Sequence, residues 1–272
     1  MIVTDKFVFV HMHKCGGTFI NVFLKEFFPQ AREIGYHFPV HCLPPQYRHL
    51  PVLGTVRNPW DFYVSYYEFQ KKIMSRSSAI GAAGRAAMLA RGKDPDNGLD
   101  AIFEFMTEGG RLGFSQSLQR LLQLGVSDSL LDSLLPSMPR EFARRGPPGV
   151  PVQEEGFRGM NLLAQELSAI AGTGWGFCTF LFHRMYGEGP VHILKLERLR
   201  EGLLEFLDNL DLLNADMERH LQGAERENTS EHAQYCQYYD EALQQQVCRQ
   251  DAWLIERYGF EFEPSAQALH SA

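Results

Sequence analysis

The feature that most constrains this chain is a change of hydrophobic period across residues 7–27. Phe7-Val8-Phe9-Val10 is an unbroken aromatic and β-branched run, the composition of a buried strand. Phe19, Ile20, Phe23, Leu24 and Phe27 then recur at the spacing that places apolar side chains on one helix face. Between the two stands His11-Met12-His13-Lys14-Cys15-Gly16-Gly17-Thr18, so the glycine pair falls at a strand-to-helix turn. Glycines there let the backbone take positive φ and approach a ligand closely. The helix N-terminus beyond them offers unpaired N–H groups and a partial positive charge. With the charge of Lys14 and the hydroxyl of Thr18 added, the segment suits a phosphate-like anion.

The order of residues separates this loop from that of nucleotide triphosphatases, G-x-x-x-x-G-K-[ST], in which the lysine follows the glycines. Here Lys14 precedes them, and no glycine stands four residues upstream of the pair. A second strand, Val52-Leu53-Gly54-Thr55-Val56, ends in Arg57, where a triphosphatase often places a magnesium-holding Asp. An arginine at a strand end calls for an anion.

Lys14-Cys15-Gly16-Gly17-Thr18 resembles the 5′-phosphosulfate loop of sulfotransferases that use 3′-phosphoadenosine 5′-phosphosulfate (PAPS). Arg57-Asn58-Pro59-Trp60-Asp61-Phe62-Tyr63-Val64-Ser65 resembles that family's 3′-phosphate segment, with its Arg and Ser eight positions apart. The resemblance implies an α/β fold: a single domain over residues 1–272, with a mainly parallel β-sheet flanked by helices. It is the P-loop-like nucleotide-binding architecture of sulfotransferases, with a divergent acceptor-side segment at about residues 75–160. It implies an enzyme that transfers a sulfuryl group from PAPS to a hydroxyl, or less readily an amine, of a carbohydrate, lipid or small-molecule acceptor. Adenosine 3′,5′-bisphosphate is then the product, and no metal is needed.

By the same resemblance, Lys14, Cys15, Gly16, Gly17, Thr18 and Phe19 bind the 5′ side of the cofactor, and Arg57 and Ser65 hold its 3′-phosphate. Lys14 is also catalytic, neutralising charge on the leaving nucleotide. Family members take the acceptor proton with a His or Glu, several of them between the first helix and the Arg strand. Gly35-Tyr36-His37-Phe38 stands there, so His37 is the candidate base, with His41 as the alternative. Histidine suits the role because its unperturbed pKa lies near neutrality.

Later segments add to this reading. Residues 82–90 suggest a helical stretch inside a Ser-, Ala- and Gly-rich insertion. Residues 118–135 are leucine-rich and read as helix, and residues 136–159 are rich in Pro and Gly and read as loop. Phe177-Cys178-Thr179-Phe180-Leu181-Phe182 reads as core. Val191-His192-Ile193-Leu194-Lys195-Leu196 is a third strand, followed by a helix reaching about Leu213. The tail from Asn228 through Tyr239 resembles a segment that folds over the cofactor in bacterial and carbohydrate sulfotransferases.

Composition limits the partners. The net charge of −7 argues against general nucleic-acid or anionic-membrane binding, though not against a small anion held by local positive charge. The five cysteines have no paired spacing and read as reduced thiols. No apolar run reaches the ~18–20 residues of a membrane span. The first strand begins without an apolar leader, which suggests a cytoplasmic enzyme of bacterial type. His11, His13, His37, His41 and Cys42 match no standard zinc spacing. Two other classes fit the sequence less well: a nucleotide-dependent kinase or hydrolase with a degenerate P-loop, and a non-catalytic nucleotide-binding relative.

Overall fold

The computed structural model describes residues 1–35, 37–78, 98–141, 143–144, 157–158, 162–223 and 233–263. The stretch at residues 82–90, most of the Pro- and Gly-rich stretch at 136–159 and the tail at residues 228–232 lie outside them. The chain divides into two units: Met1–Arg57 with Phe182–Glu231, and Asn58–Leu181 with His232–Ala272.

The first unit is built on a five-stranded sheet of β1 (Ile2–Val3), β2 (Val8–Phe9), β3 (Arg32–Glu33), β4 (Val52–Val56) and β7 (His192–Lys195), in the order β3-β1-β2-β4-β7. β2, β4 and β7 run parallel, with Val8 opposite Val52 and Leu53 opposite His192. β1 is antiparallel to both β2 and β3. The sheet is therefore mixed, not mainly parallel as the family resemblance implied. The reason is local: Thr4 folds β1 back on β2. Its Oγ1 accepts from Phe7 N–H (2.8 Å) and donates to Phe7 O (2.8 Å), which closes a tight hairpin. Strands of two residues leave too little pattern for hydrophobic period to reveal.

Helix α1 (Gly17–Phe27) follows β2, and α8 (Leu199–Asp208) follows β7. Both bury apolar faces in one core with Phe7, Phe9, Ile20, Phe23, Leu24, Leu53, Leu203, Phe206 and Leu207. Phe7 meets Phe206 edge-on at 5.1 Å, a favoured aromatic geometry. Helix α8 ends earlier than the sequence suggests. Asp211 takes a left-handed φ of 55°, Asp211 N–H donates to Asp208 O (2.9 Å), and Leu212 N–H donates to Leu207 O (2.9 Å). Those two bonds form the helix-ending motif that satisfies the last carbonyls.

In the second unit, Asn58 caps α2 (Pro59–Ser78): its Oδ1 accepts from Trp60 N–H at 3.1 Å, with proline at the first helical position. The unit also holds α3 (Gly98–Thr107), α4 (Phe114–Leu122), α5 (Asp128–Leu134), α6 (Ala164–Leu167), the start of α7 (Phe177–Tyr186), α10 (Glu241–Gln250) and α11 (Ala252–Tyr258), of which α3, α4 and α10 pack on α2. The label α9 is kept for Ala215–Gly223 of the first unit, and β5 (Ala143–Arg144) pairs antiparallel with β6 (Phe157–Arg158). The leucine-rich stretch is not one helix but α4, a 3-10 turn and α5.

A buried carboxylate ties the second unit together. Asp251 is fully buried, and its Oδ2 accepts from Tyr63 Oη at 2.7 Å. Its Oδ1 accepts from Thr179 N–H (2.8 Å) and Thr179 Oγ1 (2.7 Å), and Tyr63 Oη also accepts from Cys178 N–H (3.0 Å). Desolvation raises the Asp251 carboxyl to about 6, against the lowering effect of these donors.

Candidate anion-binding site

The site grows out of the carboxyl ends of β2 and β4, neighbouring parallel strands of the first unit. Lys14 sits in the left-handed region at φ 58°, and Gly16 does so at φ 80° as the residue capping α1. Cys15 between them is fully buried and lacks a positive φ. Alternating hand along a short loop turns successive N–H groups toward one concave side, a geometry that receives anions. α1 starts at Gly17, so the N–H groups of Gly17 and Thr18 precede the intrahelical ladder.

Both glycines are required by space. A Cβ on Gly16 would stand 2.5 Å from Leu196 Cδ1, and one on Gly17 would stand 2.0 Å from His11 Cδ2. The loop is thus pressed between the β7–α8 connection and the His11 ring. This leaves the Thr18 side chain exposed, and turns Phe19 onto the unit's core with the Arg200 guanidinium 5.5 Å over its ring.

Two cations meet on the loop. Arg57 leaves the end of β4, and its Nη1 donates to Lys14 O at 3.1 Å. Burial and then the charge of Arg57 lower the Lys14 ammonium to about 8, against a smaller opposing effect of Cys15. A positive group held below its ordinary pKa by burial and a second cation is stabilised when an anion arrives.

A histidine cluster lies beside the lysine. His11, His13 and His37 are all buried. His37 also takes a left-handed φ of 58°, and its Nδ1 donates to His11 O at 2.7 Å. His37 stacks on His13 with ring centroids 3.6 Å apart and tilts against His11 at 4.2 Å. Non-glycine residues in the left-handed region cost energy and gather at functional sites, and here both Lys14 and His37 are such residues. Burial lowers His37 to about 3, against the raising effect of its bond to His11 O. It holds His11 and His13 well below their ordinary value too.

The structure therefore brings Lys14, Cys15, Gly16, Gly17, Thr18, Arg57 and His37 into one unit, at one end of its sheet. His41 is exposed on a 3-10 turn, Val40–Cys42. Ser65 belongs to the second unit, inside α2 nearly two turns from its start, 1% exposed and with no hydrogen-bond partner for its hydroxyl. Two residues had drawn no role from the sequence. His13 was visible as the residue before the lysine. Arg184, whose charge acts on both His13 and His37, carries no signal because it lies far along the chain on α7.

Among the described residues, no group of three or more His, Cys, Asp or Glu could hold a metal ion, and no helix is long and apolar enough to cross a membrane. No family model matches this chain, and neither does any curated protein or solved structure.

Proposed function

We propose that this protein is a sulfotransferase that moves a sulfuryl group from PAPS to a hydroxyl of a carbohydrate, lipid or small-molecule acceptor. One observation carries the reading: Lys14 and Gly16 take left-handed backbone on a loop that opens directly into the N-terminus of α1, and Arg57 donates a hydrogen bond to that loop at Lys14 O. That arrangement supplies backbone N–H groups, a helix end and two cations to one anionic ligand, as a nucleotide with phosphates at two positions requires.

The residues divide the work as follows. The N–H groups of Gly16, Gly17 and Thr18, with the Thr18 hydroxyl, hold the 5′-phosphate. Lys14 neutralises charge that develops on the bridging oxygen as the bond to sulfur breaks, and Arg57 grips the 3′-phosphate and so favours PAPS over ATP. His37 takes the acceptor proton. Its Nδ1–H is committed to His11 O, which fixes the tautomer and leaves Nε2 as the nitrogen with a lone pair. A bound anion raises the pKa of this buried imidazole and so strengthens it as a base.

The test is calorimetric titration with adenosine 3′,5′-bisphosphate, set against ATP with Mg²⁺. Tight binding of the bisphosphate and little of ATP supports the assignment and leads to an acceptor screen with labelled PAPS. The opposite preference points to a kinase or hydrolase. Binding without transfer to any acceptor points to a non-catalytic nucleotide-binding protein.

A further inference from the structure

The ladder between β2 and β4 stops just short of the site, and a side chain takes it over. Val8 N–H donates to Pro51 O (2.9 Å), and Val10 N–H donates to Leu53 O (2.8 Å). Bonds of a parallel pair are evenly spaced, so the next step would join Met12 N–H to Thr55 O, with Thr55 N–H donating to Val10 O. The tyrosine that ends α7 meets both groups of Thr55 instead. Tyr186 Oη donates to Thr55 O at 2.7 Å and accepts from Thr55 N–H at 2.8 Å. Tyr186 and both strands belong to the first unit.

The surroundings hold that hydroxyl in place. Thr55 is fully buried and Tyr186 is 2% exposed, so water does not replace these bonds. The tyrosine ring lies on Gly54, where a Cβ would stand 2.4 Å from Tyr186 Cε1, and Phe182 meets the ring edge-on at 4.9 Å. Beyond Val10 the β2 chain is secured by other groups: His11 O accepts from His37 Nδ1, and Gly16 is pressed against Leu196. The β4 arm of this fork runs from Thr55 to Arg57, whose Nη1 donates to Lys14 O. Where Thr55 is held therefore sets where the guanidinium starts.

We propose that Tyr186 is a positioning residue of the anion site. Its hydroxyl stands in for the strand partner of Thr55, holds the end of β4 at the fork, and so sets where Arg57 meets its ligand. Without the hydroxyl, the buried N–H and carbonyl of Thr55 lose their partners. The strand end then shifts toward the β2 chain to regain them, and it carries Arg57 with it. That the ligand group concerned is a 3′-phosphate rests on the sulfotransferase reading.

The experiment is calorimetric titration of the whole protein with adenosine 3′,5′-bisphosphate and with adenosine 5′-monophosphate, which lacks the 3′-phosphate. It compares wild type, Tyr186→Phe, Arg57→Ala and the double variant. Tyr186→Phe should bind the bisphosphate about tenfold more weakly. Its affinity for the monophosphate should change less than about twofold, and adding Tyr186→Phe to Arg57→Ala should cost less than about twofold more. A residue that only supports the fold gives a lower binding stoichiometry, or equal weakening toward both nucleotides.

Unchanged bisphosphate affinity in Tyr186→Phe overturns the proposal. So does equal weakening toward both nucleotides, or a loss in the double variant that is the sum of the two single losses. If Tyr186→Phe fails to fold, the wild type decides. Bound bisphosphate should slow hydrogen exchange of the Thr55 amide, and an unchanged rate overturns the proposal. The sulfotransferase reading fails separately: if the wild type prefers ATP with Mg²⁺, that reading falls, and the same four proteins titrated with ATP decide for Tyr186. Binding of neither nucleotide overturns both.

Discussion

Acidification should destabilise the first unit through its buried histidines. His11, His13 and His37 are 4%, 6% and 5% exposed, and burial lowers the pKa of each, to about 3 for His37. Each is neutral in the folded state and binds a proton on unfolding once the pH drops below the ordinary histidine value of about 6.5. Their stabilising contribution is therefore complete above about pH 7. It is lost as the pH falls through about 6.5, and for His37 the loss continues until about pH 3.

Between about pH 7.5 and about pH 5, His37 alone removes about 2 kcal/mol, and His11 and His13 act in the same direction. Asp251 acts in the opposite sense. Its carboxyl is raised to about 6, so the folded state binds the extra proton and gains about 1 kcal/mol over the same interval. The loss from His37 alone is a sizeable fraction of the whole stability of many domains. His37→Asn isolates one contribution. Asparagine tolerates the left-handed φ of 58° and can donate to His11 O, but does not titrate. Urea unfolding at the two pH values should show the variant losing about 2 kcal/mol less than wild type. Equal losses within about 0.5 kcal/mol, or a folded-state His37 signal titrating near 6.5, would refute the reasoning.

Other outcomes follow from the same geometry. Lys14→Ala should lower turnover by orders of magnitude. In the wild type, bisphosphate affinity should fall as the pH rises through about 8, where Lys14 loses its charge; affinity that stays flat to higher pH excludes Lys14 as the anchor. Arg57→Ala should raise the KM for PAPS about 10- to 100-fold while kcat is mostly retained, and an unchanged KM removes the 3′-phosphate role. Gly17→Ala drives a Cβ to within 2.0 Å of the His11 ring. It should cost about 1–3 kcal/mol in thermal unfolding and weaken bisphosphate binding, whereas wild-type behaviour in both would show that the loop has room. Tyr63→Phe strips Asp251 Oδ2 of a donor and Cys178 N–H of an acceptor. It should destabilise by about 1–3 kcal/mol and raise the Asp251 pKa further, both measurable by denaturation at several pH values.

Much of the site's frame is legible because it is local in sequence. The change from a β-branched run to helical spacing around Gly16-Gly17 places α1, and Val52–Val56 is a strand over the residues its composition marks. Asn58 and Pro59 announce the start of α2 by capping chemistry alone. The misses occur where strand pairing or a distant segment decides. β1 and β3 are two residues long and exist through their pairing, which is why the sheet is mixed. The leucine-rich stretch breaks after Leu122, where the Gly125 carbonyl accepts from Gly174 N–H at 3.0 Å, a partner that lies 49 positions away.

The sequence by itself determined a strand–loop–helix unit with a lysine before two glycines and an arginine at the end of a second strand. Those properties need only neighbouring residues, whose spacing sets period, cap and turn. The tertiary structure alone decided the burial that makes the site's chemistry. It closed Leu196 and His11 onto the glycines, stacked His13 on His37, and brought the charge of Arg184 to bear on both histidines. A side chain's pKa and its unmet hydrogen bonds depend on the groups that exclude water from it, and here those groups come from segments more than a hundred residues apart.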